Sequence, residues 1–367
     1  MRGQRLVAAL MTALLAGCGP AVATSDPVPA AVGPAPEHQY AVGMRQFTLD
    51  PDGRRPLPVT VWYPAQQSSA PPYTAGPVSA GPVSAGPGSA GVDLAPVLSG
   101  PRGPRASALP SRPSVSAAPS GSGRATPSSP GPRVRPGAPF AAGRFPVVLY
   151  SHGLRSLPAL HAALTSRWAA AGFVVVAPTY PRTNQRARAF TRDDVRNQPA
   201  DAWRLIRHLV RLGARPGDPL GAHMAVDRFA AAGHSAGGHT TLGMFASGQP
   251  FPVRAGIVIA GGRMVAGLSR PLAPMLFVHG SADRIVPEPI GRAAYARCLG
   301  PAAFLSLTGQ GHGEYLTPGR PGFAQVLATT TDFLRWTLYA DRAALRRLPT
   351  DATAPDLTTF TTRSLPT

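Results

Sequence analysis

Between residues 145 and 342 short apolar runs alternate with stretches of helical period, and that alternation leaves few folds open. Strands are expected at 145–150, 173–177, 228–233, 255–260, 275–278 and 303–307. Helices are expected at 158–171 closed by Gly172, at 199–212 closed by Gly213, and at 236–247, 287–298 and 322–342. Strands that are apolar along their whole length must be covered on both faces. The expected fold is therefore α/β, a mostly parallel sheet with helices on each side. Upstream, residues 44–49 and 57–63 alternate in polarity and are separated by Asp50-Pro51-Asp52-Gly53, which is hairpin chemistry. An antiparallel N-terminal hairpin is expected to join the sheet. In the 199–212 helix Ala202, Leu205, Ile206, Leu209 and Val210 share one side, while Arg204, Arg207 and Arg211 line the other as an expected solvated face.

Composition says what the rest of the chain does. The 367 residues include 44 Pro and 40 Gly, an excess that cannot sit inside helices and strands. Residues 64–143 hold 17 of the Pro and 12 of the Gly, a period-five Ala-Gly-Pro-Val-Ser near-repeat and one acid, Asp93. Such a segment buries too little apolar area to offset its ordering entropy, so it is expected to be a disordered insert in one domain spanning 40–342. Residues 343–367 are expected to be a C-terminal tail. A long insert raises loop-closure entropy only logarithmically.

The net charge of +19 arises from 36 Arg and no Lys, a bias read as codon composition. Aromatics are 7% and no basic-aromatic cluster is present, so a nucleic-acid partner is not expected. No run of 18 apolar residues appears, which excludes a polytopic membrane protein. Two cysteines, Cys18 and Cys298, make no disulfide framework. No His-Glu-x-x-His run, clustered Cys/His spacing or Lys-bearing phosphate loop occurs, so no metal and no cofactor are expected.

The N-terminus reads as an export signal, with Arg2 and Arg5 before an apolar run at 6–15 and Leu15-Ala16-Gly17-Cys18 after it. Leu-Ala-Gly-Cys resembles a bacterial lipobox, which implies cleavage after residue 17 and diacylation of Cys18. Residues 18–39 would then tether the domain to the outer face of the cell membrane. Plain secretion is the alternative.

The chemistry is concentrated at Gly233-His234-Ser235-Ala236-Gly237-Gly238, which follows an expected strand and precedes an expected helix. That is the context of a G-x-S-x-G nucleophile elbow, where Ser235 is the nucleophile and glycines leave room for a tight turn. On such a scaffold an acid and then a histidine follow the serine. Between Ser235 and His312 the acids are Asp283, in the loop after the 275–278 strand, and Glu288, which opens the next helix as a dipole-favoured residue. His312, flanked by Gly311 and Gly313, is the one histidine beyond Asp283. Asp283 and His312 are therefore the expected acid and base, with His279 and His239 in supporting places. Two backbone amides must hold the developing oxyanion. Ala236 supplies one, and Leu154, in Ser151-His152-Gly153-Leu154 after the first strand of the alternating block, is the candidate for the other. His152 is expected to brace that loop.

These motifs, with Leu57-Pro58-Val59-Thr60-Val61-Trp62-Tyr63-Pro64 and Gln198-Pro199-Ala200-Asp201, resemble the α/β-hydrolase superfamily. They are most similar to platelet-activating-factor acetylhydrolase-like and dienelactone-hydrolase-like esterases. The chain departs from dienelactone hydrolases in having a serine where they use cysteine, and from bacterial polyester hydrolases in having Ala236 where they usually carry Met. The resemblance implies a monomeric serine carboxylesterase acting on a small-molecule or lipid ester through an acyl-enzyme. A serine peptidase on the same fold and a catalytically idle surface lipoprotein are the competing readings.

Overall fold

The computed structural model describes residues 32–67, 131–245, 253–262 and 273–366. Cys18 and most of the 64–143 segment lie outside the described residues. The described strands are β1 (Ala41–Leu49), β2 (Leu57–Ala65), β3 (Val134–Pro136), β4 (Phe145–Ser151), β5 (Val174–Pro178), β6 (Met224–His234), β7 (Val253–Ile259), β8 (Met275–Gly280), β9 (Ala302–Leu307) and β10 (Thr358–Arg363). They form one sheet in the order β10-β9-β8-β7-β6-β4-β5-β2-β1-β3. The block from β5 to β9 is parallel. The β1–β2 hairpin is antiparallel, as is its junction with β5. The helices are α1 (Ala162–Ala170), α2 (Gln198–Gly213), α3 (Ala236–Gly243), α4 (Glu288–Arg297), α5 (Phe323–Tyr339) and α6 (Arg342–Ala352).

Side chains alternate across a strand, so parity decides which layer each joins. Val148 and Tyr150 of β4, with Val175 and Ala177 of β5, pack with Leu164 and Trp168 of α1 and Phe333 and Leu334 of α5. Val147, Leu149, Val174 and Val176 point the other way, onto Ala202, Leu205, Ile206 and Leu209 of α2. Burial on both faces is why these strands read as continuous apolar runs.

Three boundaries and one helix face differ from the sequence reading. The expected insert ends earlier than residue 143, because β3 pairs in parallel with β1 and Phe140 is buried, stacked on Tyr63 at 4.1 Å between ring centroids. Averaging composition over 64–143 hid this short ordered stretch. The expected tail from 343 is instead α6 and β10. Asp341 caps α6 by accepting from the Ala344 amide, Arg347 forks onto Asp332 of α5 at 2.7 and 2.9 Å, and β10 pairs antiparallel with β9. The last part of the expected tether lies on the domain, where Arg335 donates to the Pro36 carbonyl at 2.8 Å and the Tyr40 amide to Ala170. Arg204, expected on a solvated face, bridges Asp201 and Asp50 at 3.1 Å each.

Candidate active site

β6 enters the elbow at His234, and α3 leaves it at Ala236. Ser235 between them has φ 57° and ψ −118°, a conformation that an L-residue holds only when its surroundings over-determine it. Its amide donates to the Ile259 carbonyl of β7 at 2.9 Å, and its own carbonyl accepts from Gly238 and His239 at the start of α3. A Cβ on Gly233 would overlap the Gly237 carbonyl, and one on Gly237 would overlap that of Ser151. Glycine at both places lets three backbones meet.

Asp283 follows β8 and is buried. Its Oδ1 accepts from the Ile285 and Val286 amides at 2.8 and 2.9 Å, which fixes the carboxylate in a turn of its own loop. Oδ2 lies 2.7 Å from His312 Nδ1. A carboxylate accepts, so Nδ1 carries the proton and Nε2 is the free basic nitrogen. His279 donates from Nε2 to the Val286 carbonyl at 2.7 Å and stands 3.4 Å from Asp283 Oδ2, bracing the acid's loop. Glu288 begins α4 and pairs with Arg292, away from this contact. His239 lies in the first turn of α3.

Ser235 Oγ makes no hydrogen bond with His312 among the described residues, a contact that is commonly loose before substrate binds. What ties the two loops together is His234, which donates from Nε2 to the His312 carbonyl at 2.6 Å. The residue before the nucleophile thus pins the backbone of the base.

The Leu154 loop packs directly on the elbow, since a Cβ at Gly153 would stand 3.2 Å from Ser235 Cβ. Neither the Leu154 nor the Ala236 amide donates to another described residue, and Ala236 is the first helical residue, whose N–H has no partner in its own helix. His152 braces the loop as expected. Its Nε2 accepts from the Tyr180 amide at 3.1 Å and its Nδ1 donates to the Gly153 carbonyl at 2.7 Å. Burial lowers its pKa to about 4, so it stays neutral and serves as a strut.

Several residues at the site were given no role by the sequence, Gln198 among them although it opens the Gln198-Pro199-Ala200-Asp201 run. Gln198, wholly buried at the start of α2, accepts from Thr240 Oγ1 of α3 and donates to Thr183 Oγ1 at 2.8 Å. The Thr183 carbonyl in turn accepts from the Arg155 amide at 2.7 Å, so one side chain joins the elbow helix to the loop of Leu154. The His161 ring lies tilted against that of His234, 5.1 Å between centroids, and burial lowers its pKa to about 4. Burial holds His234 well below the ordinary histidine value, and the neighbouring His161 adds to this. Among the described residues Tyr150 Oη, His161 Nδ1 and His234 Nδ1 are buried without a hydrogen-bond partner.

The family model of chlorophyllase matches residues 116–251, which include β4, the Leu154 loop, β6, Ser235 and α3 but neither Asp283 nor His312. The fold is that of an α/β-hydrolase. The match supports a hydrolase of the ester-cleaving type. No curated protein matches the chain. Among the described residues of this hydrolase no group of three or more His, Cys, Asp and Glu gathers as a metal site, and no helix is long and apolar enough to cross a membrane.

Proposed function

We propose that the protein is a serine carboxylic ester hydrolase in which Ser235, His312 and Asp283 act as one unit. The reading is carried by the 2.7 Å contact of His312 Nδ1 with Asp283 Oδ2 in a loop latched to the Ser235 elbow. His312 Nε2 takes the Ser235 proton as Oγ bonds to the ester carbonyl carbon. The carbonyl oxygen becomes an oxyanion held by the Leu154 and Ala236 amides. As it collapses, the C–O bond to the alcohol breaks and His312 returns the proton to the leaving oxygen. Water, deprotonated by His312, then attacks the acyl-enzyme and releases the acid and Ser235. Asp283 keeps the proton on Nδ1 and steadies the imidazolium.

A panel of p-nitrophenyl esters of increasing chain length, run beside aminoacyl p-nitroanilides, tests this. Chlorophyll belongs in the panel because the matching family is named for it. Ester turnover that disappears in Ser235→Ala is the expected result. Turnover of anilides alone would install the peptidase reading, and turnover of neither the idle one. For location, Cys18 as a diacylated N-terminus predicts that the wild type fractionates with membranes and that Cys18→Ala does not. Wild-type protein wholly soluble in culture fluid, with another N-terminus, would leave plain secretion.

A further inference from the structure

Arg155 directly follows Leu154 and has φ 52°, an uncommon backbone for a residue with a side chain. It is held there by its amide bond to the Thr183 carbonyl and by the Ser156 amide donating to Gly153. Its guanidinium lies over the Phe190 ring, 3.9 Å from the centroid. A guanidinium stacked by its face keeps its N–H edges free to donate to other groups. Arg155 is exposed, and no carboxylate among the described residues pairs with it. Exposed arginines are common in a chain with 36 of them. What sets this one apart is a stacked, unpaired fork two residues from Gly153, which packs on Ser235, and one residue from the Leu154 amide proposed for the oxyanion.

The segment that supplies Phe190 adds to the same field. It is stitched to the Leu154 loop by Arg155 to Thr183 and by the Gln185 amide to the Ser156 carbonyl at 3.1 Å. It carries exposed Arg182, Arg186 and Arg188, none paired with a described carboxylate. The acids just beyond are engaged elsewhere, Asp193 by Arg196 at 3.6 Å and Asp194 by Arg55 at 2.6 Å.

We infer that Arg155 is a specificity-determining residue that takes an anionic oxygen pair, a carboxylate or a phosphonate-type group, on the ester substrate. The inference rests on the reading of Ser235 as an ester-cleaving nucleophile and deepens it by naming the substrate's charge. A planar fork donates to two such oxygens side by side, and the neighbouring arginines raise the local concentration of anions beside the Leu154 loop.

The test compares kcat/KM for three p-nitrophenyl esters of similar length: the neutral valerate, the glutarate half-ester with its free carboxylate, and the 4-phosphonobutanoate. At low ionic strength the wild type should favour one or both anionic esters by about tenfold, expressed in KM and shrinking as salt is added. The two anionic arms show which oxyanion is preferred. Arg155→Gln should bring the anionic-to-neutral ratio to about one, and Arg155→Lys, which keeps the charge without the fork, should fall between. Because the ratio is read within each variant, partial unfolding does not mimic it. A wild-type ratio of one, or an unchanged ratio in Arg155→Gln, overturns the inference. Labelling of Ser235 by a fluorophosphonate separates the two failures. Labelled enzyme with no charge preference sinks the Arg155 site alone, whereas no labelling and no turnover of the neutral ester sinks the ester reading and this site with it.

Discussion

Two charged or polar clusters sit at opposite kinds of work in this fold, and they treat buried polar atoms differently. At the hairpin, Arg55 donates from Nε to both oxygens of Asp201 and from its terminal nitrogens to both oxygens of Asp194. Arg204 adds a bond to Asp201, and Asn197 one to Asp194 at 2.7 Å. Burial disfavours the Arg55 charge, yet pairing with Asp201 and Asp194 outweighs it and raises the pKa. Every buried oxygen there is used. Around Ser235 the serine backbone is strained, and buried Tyr150, His161 and His234 each keep an atom without a described partner. The Asp194 and Asp201 carboxylates are fully satisfied, whereas the elbow region retains unsatisfied atoms, a cost it shares with Trp203 Nε1 and Thr329 Oγ1 elsewhere in the fold.

The largest expected effects separate the two clusters. Ser235→Ala, His312→Ala and Asp283→Asn should each lower ester kcat by roughly three orders of magnitude, with losses that do not add when combined and with little change in Tm. Arg55→Ala should do the reverse. It strands two buried carboxylates, so urea unfolding should show a loss of about 3 kcal/mol, while kcat of the folded fraction stays within a few-fold. A collapse of kcat with Tm unchanged would erase the distinction.

Acid should next expose the histidines. In the unfolded chain they titrate near 6.5, whereas burial lowers His152 and His161 to about 4 and holds His234 well below its ordinary value. Between those values the unfolded state binds more protons, so stability falls as pH drops from about 6.5 towards 4, by at most roughly 3 kcal/mol each for His152 and His161. Unfolding curves at about pH 7 and about pH 5 measure the slope. His161→Phe should flatten it, and an unaltered slope would remove His161 from the account.

The smallest effect should come where the clusters touch. Gln198 stands between the Asp194 and Asp201 partners of Arg55 and the Thr240 and Thr183 hydroxyls beside the elbow. Gln198→Ala should cost about 1–2 kcal/mol of stability and lower kcat about tenfold with KM nearly unchanged, since it loosens the link between the elbow helix and the Leu154 loop. A loss confined to stability would place Gln198 wholly in the structural cluster.

The fold was largely legible because its signals are local. Strand and helix periods, the hairpin turn and the elbow glycines each act within a few residues, and the alternation they produce admits little besides a parallel sheet. The contact of His312 with Asp283 was legible too, since few acids and histidines follow the elbow. The ordered end of the 64–143 segment and the α6–β10 ending were not, because β3 exists only by pairing with β1, and β10 only by covering the edge of β9.

By itself the sequence determined the layers, the strained turn and the residue types available for chemistry. Only the tertiary structure decided which of those residues meet. His234 reaches the carbonyl of His312, Gln198 the hydroxyl of Thr240, and Arg55 the carboxylates of α2 and the turn before it. None of these pairs lies on one local element, so no period or spacing encodes them. Their contact exists because burying both faces of one sheet fixes where its loops emerge, and hydrogen bonds a few ångströms long then select the partners.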